Sequence, residues 1–323
     1  MPKVTVIIPV YGVEAHIERC ARSLFEQTLD DLEYIFVNDC TKDKSIEILK
    51  RVLEDYPNRK DCVKIIDNSR NLGLPRTRLA GLKAATGDYV AHCDSDDWVD
   101  TSLYESMYSR AIADDADFVV SDFVVVRNGT EFLKRGIHST DKRQYIINLL
   151  NQVDTITVWN KLLKKDLYNN MTRYPVDNMG EDLATTLQIV PYCKKVSYSQ
   201  EGHYYYNGDT VSISREETKS AVIKRASGAC TNASLILSHY ECMPDKMIHH
   251  ALIHLKFNQR KLFMPAINHK DVFLLWKQAF PEINLQVIFN PFVKISILDR
   301  VKFALTLLGF FPWFKQHFRS TLL

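Results

Sequence analysis

The sequence opens with an apolar run, Val4–Val10, in which almost every residue is β-branched. Such a run is typical of a strand buried on both faces of a parallel sheet. Apolar runs and segments with helical spacing then alternate, with helices predicted at about 13–27, 43–55 and 75–85 and strands at 32–37, 63–66 and 89–91. Because helices separate consecutive strands, the pattern predicts a parallel α/β sheet with right-handed crossovers.

Polar residues follow each of the four predicted strands, at the edge where open parallel sheets bind ligands. The last group, Asp94-Ser95-Asp96-Asp97, has three carboxylates within four positions. Carboxylates this close repel one another unless a cation lies between them. Hard oxygen ligands suit Mg²⁺ or Mn²⁺ carrying a diphosphate. The alternative is a solvated acidic turn in which Asp97 is the N-cap of the next helix.

The second half of the chain predicts further strands near 118–122, 124–126, 196–198 and 203–206, and a helix after Gly180. From about residue 218 onward the spacing is helical with almost no strand signal. The sequence therefore predicts an α/β domain at 1–217 and a helical extension at 218–323.

The composition of the chain limits the functions and cellular locations that are expected for it. A net charge of only +2 on 323 residues argues against nonspecific binding of nucleic acid. The seven cysteines form no CxxC pair, which argues against a zinc or disulfide framework and fits a reducing compartment. The first strand leaves no room for a signal peptide, and no stretch of about 20 residues lacks charge. We therefore expect a cytoplasmic protein without a membrane-spanning helix.

A series of motifs, taken in order, resembles glycosyltransferase family 2. The matching residues are 6–11, 37–39, 71–74, 87–97, 159–162, 181–182 and 204–206. The resemblance covers roughly residues 1–215, and it implies the inverting family with the A-type nucleotide-sugar fold. That fold is a Rossmann-like α/β architecture with a mostly parallel sheet flanked by helices, here followed by a C-terminal helical extension.

The resemblance assigns a nucleotide-sugar site at the strand ends. Its members would be Pro9, Val10, Tyr11, Asp39, Asn71, Arg78, Asp94, Ser95 and Asp96. A carboxylate at Asp39 can accept the imide N–H of uracil, although it could instead lie near a helix start. Arg78 would stabilise the diphosphate or order Asp94, whereas Arg76 is expected to be a surface residue. Two departures from the family pattern are Asn38, in place of an acid, and Asn207, in place of a basic residue.

The acidic motif carries the implied cofactor, Mn²⁺ or Mg²⁺. By resemblance Asp96 is the direct metal ligand, and Asp94 holds the ribose or a metal-bound water. His203 is a second candidate metal ligand, since it follows the motif of the general base by some twenty residues. The alternative for His203 is a structural role, which is commoner for a lone histidine.

The resemblance also implies a general base and an acceptor site. Asp182 matches the base that deprotonates the acceptor hydroxyl. Glu181 is expected to raise the pKa of Asp182 by like-charge repulsion and to contact the acceptor. Both acids could instead simply occupy the first turn of a helix. Trp159 could stack on the acceptor sugar or could be a core residue.

The implied function is an inverting, metal-dependent transferase that moves a single hexose or N-acetylhexosamine. The donor would be a nucleotide sugar, with UDP expected, and the acceptor a hydroxyl of a glycan or lipid-linked glycan in surface polysaccharide synthesis. Two alternatives are a sugar nucleotidyltransferase and a non-catalytic nucleotide-sugar scaffold. Residues 9–12 lack the basic Gly-rich loop of the first, and the presence of Asp96 and Asp182 counts against the second.

The C-terminal segment 285–319 is rich in large apolar side chains, above all at 303–314. Its basic residues are Lys294, Arg300, Lys302, Lys315 and Arg319, opposed only by Asp299. This composition predicts contact with an anionic membrane surface, at the inner face of the cytoplasmic membrane. The alternatives are a helical subdomain packed on the catalytic domain and the interface of a homodimer.

Overall fold

A computed structural model describes residues 2–210 and 218–310 of the chain. The strands are β1 (Val4–Val10), β2 (Leu32–Asn38), β3 (Val63–Asp67), β4 (Tyr89–His92), β5 (Trp98–Val99), β6 (Phe118–Arg127), β7 (Thr130–Lys134), β8 (Lys161–Lys164) and β9 (Val196–Asn207). The α-helices are α1 (Ile17–Phe25), α2 (Ser45–Glu54), α3 (Leu74–Ala84), α4 (Leu103–Ala113), α5 (Lys142–Leu150), α6 (Glu181–Ile189), α7 (Lys219–Tyr240), α8 (Lys246–Lys261), α9 (Lys270–Gln278), α10 (Asn284–Phe289) and α11 (Ile297–Leu307).

The first half of the sheet is parallel, in the order β3-β2-β1-β4. Its register pairs Val10 with Asn38 and Asn38 with Asp67, so three strands end at one edge. The predicted strands and the helices between them are confirmed here. Because β1 lies between β2 and β4, the acidic motif after β4 falls beside the end of β1.

The second half makes the sheet mixed. Strand β8 runs antiparallel to β4 and β6, β9 runs parallel to β6, and the short β5 pairs antiparallel with β9. The two strands predicted between 118 and 126 are a single strand, β6, with a register shift between Ser121 and Phe123. Asp122, which interrupts the apolar pattern there, is buried and accepts hydrogen bonds from Gly136 N and from His138. The strands predicted at 196–198 and 203–206 are likewise one strand, β9.

Two hydrophobic cores cover the two faces of the sheet. Val6 and Ile8 point into the core formed with α1, α2 and α4. Ile7, between them, points into the opposite core, which contains residues of α5, α6, α7 and α8. Adjacent residues of β1 are therefore buried on opposite faces, and this double burial explains the unbroken apolar run.

The C-terminal helices extend the second core and build a third. The side chain of Thr218 caps α7 by accepting from Ala221 N, and Tyr240 at the end of α7 donates to the carbonyl of Leu187 in α6 at 2.7 Å. Helices α9, α10 and α11 enclose a separate cluster around Trp276 and Phe303. None of the helices in residues 2–210 and 218–310 is long and apolar enough to span a membrane. The division at 217/218 stays a prediction, since 211–217 lie outside the described residues, as do 311–319 of the basic, aromatic segment.

Candidate active site

The acidic loop after β4 is tied to the neighbouring strands. Cys93 N donates to the carbonyl of Ile7 at 3.0 Å, which continues the β1–β4 pairing. The hydroxyl of Ser95 donates to the carbonyl of Pro9 at 2.7 Å. Pro9 and Val10 are buried, so they form the floor beneath the loop rather than its surface. Tyr11 follows them and is 54% exposed, beside this floor.

Arg78, on α3, is the centre of the site. It is 1% exposed, and its guanidinium contacts three carboxylates. Nη2 lies 2.5 Å from Asp94 Oδ1, Nη1 lies 2.6 Å from Asp182 Oδ1, and Nη1 also bonds Glu181 Oε1. One buried cation therefore links the acidic loop to the first turn of α6. Two roles were predicted for Arg78, and the one that the structure shows is the contact that orders Asp94.

The two acids at the start of α6 have opposite environments. Burial strongly raises the pKa of Glu181, and the nearby Asp182 adds to this rise against the pull of Arg78. Burial also acts to raise the pKa of Asp182, but Arg78 and a hydrogen bond from Glu181 outweigh it and hold that pKa below its usual value. The prediction that Glu181 raises the pKa of Asp182 is therefore wrong. Burial therefore disfavours the carboxylate form of Glu181, whereas Arg78 favours the carboxylate form of Asp182.

Exposure separates the same two acids. The side chain of Asp182 is 23% exposed, whereas that of Glu181 is 3% exposed, so only Asp182 can reach a bound substrate. Glu181 does not offer the acceptor-contacting surface that the sequence suggested, because its carboxyl is turned inward onto Arg78. The geometry leaves Asp182 partly open to solvent and Glu181 buried behind it.

Within the acidic motif, the three carboxylates have different surroundings. Asp97 is not an N-cap, because α4 begins only after Ser102. Its carboxylate instead accepts from Tyr204 Oη and from Asn207 N, both at 2.7 Å. Tyr204 Oη also accepts from Asp94 N at 3.0 Å. Asp97 thus anchors the loop to β9.

The carboxylate of Asp96 accepts no hydrogen bond from the residues that the structure describes. Only its carbonyl is bonded, by Arg19 Nη2 at 3.4 Å and Asn207 Nδ2 at 3.3 Å. Residues 2–210 and 218–310 contain no group of three or more His, Cys, Asp or Glu side chains that could hold a metal ion by itself. Mg²⁺ and Mn²⁺ are commonly held by one or two carboxylates plus substrate phosphates. Asp96 and the second oxygen of Asp94 fit an ion of that kind.

The structure does not bring His203 to Asp96. The backbone N of His203 donates to Asp100 Oδ2 at 2.8 Å, and its ring Nδ1 lies 3.3 Å from the same oxygen. Asn207, which does contact the carbonyl of Asp96, lies four positions further along β9 than His203, or about 13 Å at the rise of a strand. The arrangement favours the structural role for His203.

Asp39 lies beneath the turn that precedes α3. Its two carboxylate oxygens accept from Leu72 N at 2.8 Å and from Gly73 N at 2.9 Å, and Asn68 Nδ2 adds a third bond at 2.9 Å. Gly73 has φ +83°, which favours glycine. Asp39 therefore lies at a helix start, as one interpretation held, but that helix is α3. Asn71, at the turn, is exposed.

Trp159 is part of the core rather than an open sugar platform. It is 5% exposed and stacks on Tyr204 with ring centroids 4.3 Å apart, and it meets the edge of Phe123 at 4.8 Å. The acceptor role predicted for Trp159 is not supported, because its indole is almost fully buried among aromatic rings. This ring supports Tyr204, whose hydroxyl holds the acidic loop.

Sequence reasoning gave no role to Tyr204, Asn207 or Lys161. The run of three consecutive tyrosines on β9, Tyr204–Tyr206, was the available signal, since successive residues of a strand point to opposite faces and at least one of the three must face the sheet interior. Lys161 is fully buried, and burial lowers its pKa to about 7, with Asp154 and Asp182 opposing this. Its Nζ donates to the carbonyls of Thr155 and Thr157.

Comparisons with known proteins identify the family of the chain. The model of Glycosyl transferase family 2 matches residues 5–172, just over half of the 323 residues. The uncharacterized glycosyltransferase EpsJ of Bacillus subtilis is 30% identical over 243 residues. That alignment covers 69% of this chain and 66% of EpsJ, so the chain spans slightly less than two thirds of this relative.

Solved structures extend the likeness to the fold. S. aureus TarS 1–349 matches with a TM-score of 0.68 at 18% identity, covering 98% of this chain and 91% of that one. TarS 1–349 has also been solved in complex with UDP and with UDP-GlcNAc. The mannosyltransferase PcManGT of Pyrobaculum calidifontis, in complex with GDP-Man and Mn²⁺, matches with a TM-score of 0.57 at 16% identity over 99% of this chain and 88% of PcManGT. The chain therefore has the A-type glycosyltransferase fold and belongs to glycosyltransferase family 2.

Proposed function

We propose that this protein is an inverting, metal-dependent glycosyltransferase. It transfers a single hexose or N-acetylhexosamine from a UDP-sugar to a hydroxyl of a glycan or lipid-linked glycan. The observation that carries the proposal is the buried guanidinium of Arg78, which joins the acidic loop to Asp182. This link fixes the base relative to the residues that fit a diphosphate-bound metal.

The proposed chemistry is a direct displacement. Asp182 accepts the proton of the acceptor hydroxyl while that oxygen attacks the anomeric carbon from the face opposite the leaving diphosphate. Mn²⁺ or Mg²⁺, held by Asp96 and Asp94, would supply positive charge where the nucleoside diphosphate departs. Arg78 favours the ionised form of Asp182 and orients it, and Glu181 is buried against the same guanidinium.

The choice of a UDP-sugar over other nucleotide sugars is the more specific part of the proposal. TarS, which shares the fold, binds UDP and UDP-GlcNAc, whereas PcManGT binds GDP-Man. Asp39 already accepts three hydrogen bonds from the turn before α3, so it would contact a base only through a remaining lone pair. Incubating the protein with a panel of nucleotide sugars and Mn²⁺, and measuring release of the nucleoside diphosphate, identifies the donor.

The decisive variant is Asp182→Asn, which keeps the shape of the side chain and removes its basicity. Transfer should fall by about 100-fold or more, the scale of a positioned acid–base group, while UDP binding measured by calorimetry is kept. Asp88→Asn, an exposed carboxylate at the opposite end of β4, is the matched control and should leave transfer unchanged. Near-normal transfer by Asp182→Asn would assign the proton to another residue.

The reaction products distinguish the proposed transferase from the two alternative functions. A sugar nucleotidyltransferase would release pyrophosphate from a nucleoside triphosphate and a sugar phosphate. A non-catalytic scaffold would bind UDP-sugars without any turnover. Family membership and the exposed carboxylate of Asp182 favour transfer over both.

We further propose that the C-terminal helices bring the enzyme to an anionic membrane surface. Eight large apolar side chains of the described part of the chain are exposed there, namely Leu285, Phe289, Phe292, Ile297, Leu298, Val301, Leu308 and Phe310. Lys294 and Lys302 are exposed among them, which complements a negative surface. Surface polysaccharide synthesis at the inner face of the cytoplasmic membrane is the proposed setting, and a homodimer interface is the competing use of this apolar surface.

A further inference from the structure

A cavity of about 470 Å³ lies in the helical extension, between α8, α9 and α11. Its apolar wall includes Phe257, Trp276 and Phe303, and its basic residues are Arg260, Lys261 and Lys302. These residues are remote in sequence from the acidic loop and from Asp182, and the proposed transferase chemistry uses none of them. The volume is within the range of small-molecule sites.

Arg260 forms the floor of the cavity and is fully buried. Its Nη1 donates to Asn284 Oδ1 at 2.6 Å, but Nε and Nη2 are buried without a hydrogen-bond partner among the described residues. The guanidinium lies 4.0 Å from the centroid of Trp276 and 4.7 Å from that of Phe303. Burial lowers the pKa of Arg260 to about 10, so the group is still charged at neutral pH.

The charges around the cavity do not balance. Lys261 lies 3.5 Å from Asp299, the acidic residue of the cavity wall. Lys302 is exposed at the wall and makes no ion pair with the residues that the structure describes. Arg260 likewise makes no ion pair within those residues; Glu282 attracts it without direct contact and is itself paired with Lys256. Two cationic groups therefore lack a direct counter-ion, and a buried charge without one is costly unless an anion compensates it.

We propose that this cavity binds the phosphate group of an amphiphile, with the apolar chain against the aromatic wall. The ammonium groups of Lys261 and Lys302 would contact the phosphate oxygens, and Arg260 would attract the anion from the floor. Phe257, Trp276 and Phe303 supply an apolar surface that a free anion does not need. The shared chemistry is a phosphate monoester or diphosphate, and its source is either a lipid phosphate or a water-soluble phosphate.

The test is calorimetry on the full chain with three probes, namely farnesyl phosphate below its aggregation concentration, farnesol and inorganic phosphate. Farnesyl phosphate should bind at least tenfold more tightly than either of the others, and salt should weaken its binding. Equal affinity for inorganic phosphate would assign the site to a soluble phosphate. Equal affinity for farnesol would overturn the proposal, as would no binding of any probe.

Charge variants test the geometry. Lys302→Gln should weaken binding of farnesyl phosphate about tenfold, the scale of one charge-assisted contact. Asp299→Asn removes the acidic group from the wall and should tighten binding several-fold, a gain that a merely structural role for Asp299 would not produce. Lys277→Gln, on α9 but stacked on Phe273 outside the cavity, is the matched control and should have no effect.

The exposed apolar surface provides a second control. Phe289→Ser lies on α10, outside the cavity, and should leave the affinity for farnesyl phosphate unchanged. Loss of binding in that variant, with none in Lys302→Gln, would place the amphiphile on the surface and overturn the cavity assignment. Because every readout is binding without sugar transfer, these outcomes are independent of the proposed glycosyltransferase activity.

Discussion

Replacing Arg78 by methionine should destabilise the fold more than any other single change in the site. Arg78 is the counter-charge of Glu181, Asp94 and Asp182, and Glu181 has almost no access to water. Removing one partner of a buried ion pair costs about 3–5 kcal/mol, because the remaining charge stays buried. At about 2–4 °C per kcal/mol for a domain of this size, the melting temperature should fall by roughly 6–20 °C at pH 7.5.

The loss of stability caused by Arg78→Met should be smaller at lower pH. Without Arg78, the carboxyl groups lose the attraction that opposes their burial, so their folded-state pKa values rise relative to those of the wild type, in which the pKa of Asp182 lies below its usual value. The folded variant then binds more protons than the unfolded chain, and its stability increases as the pH falls. The gap between the wild type and Arg78→Met should therefore be largest near pH 8 and should narrow toward pH 5.

Arg76→Met is the matched control, since Arg76 is exposed on the same helix two residues earlier. It should change the free energy of unfolding by no more than about 0.5 kcal/mol. Adding Glu181→Gln to Arg78→Met should restore part of the loss, with a coupling of about 0.5–3 kcal/mol. A gap that stays constant from pH 8 to pH 5, or an equal loss in Arg76→Met, would refute the electrostatic reasoning.

Three further predictions concern the metal, the core and the apolar surface. Asp96→Asn should abolish the Mn²⁺-dependent part of UDP binding in calorimetry while leaving the melting temperature within a few degrees, because its carboxylate is not bonded within the described chain; equal affinity in both proteins would count against the metal site. Trp159→Phe should lower stability but leave the KM for acceptor unchanged, and a selective rise in that KM would restore the sugar-stacking role. Replacing Leu285, Phe289 and Ile297 together by serine should reduce co-sedimentation with anionic liposomes without unfolding the protein, since all three are exposed; if the variant instead separates a dimer, the surface joins two copies of the chain.

Much of the catalytic half could be predicted because burial on both faces leaves a clear pattern. The apolar run of β1 and the helices that follow it were located within a few residues. The prediction divided β6 and β9 into two strands each for a common reason, which is that polar residues within a strand resemble a turn in the sequence. Asp122 is buried at a register shift and finds its partners in the loop after β7, a long-range contact that local pattern does not contain.

The order of the strands predicts which segments meet at the site, but it does not predict how their side chains are oriented. Topology brings the residues after β1, β2 and β4 to one edge, so the acidic loop was placed correctly. It does not determine which of two neighbours points inward. Glu181 and Asp182 are adjacent on one helical turn, yet one is buried and the other is open. His203 and Tyr204 are adjacent on a strand, so only one of them can face the acidic loop.

The balance of charge connects the site to its substrate. Asp94 and Asp182 both contact Arg78, which also contacts Glu181, whereas Asp96 is bonded only through its carbonyl within the described residues. A nucleoside diphosphate is itself an anion, so it meets a surface with an excess of carboxylate. Arg78 is 1% exposed and both of its terminal nitrogens already contact these acids, so it is poorly placed to compensate the diphosphate. A divalent cation on Asp96 would reverse the local charge, and the same ion would attract the diphosphate. Metal and donor are therefore expected to bind with positive coupling, each raising the affinity for the other by the same factor.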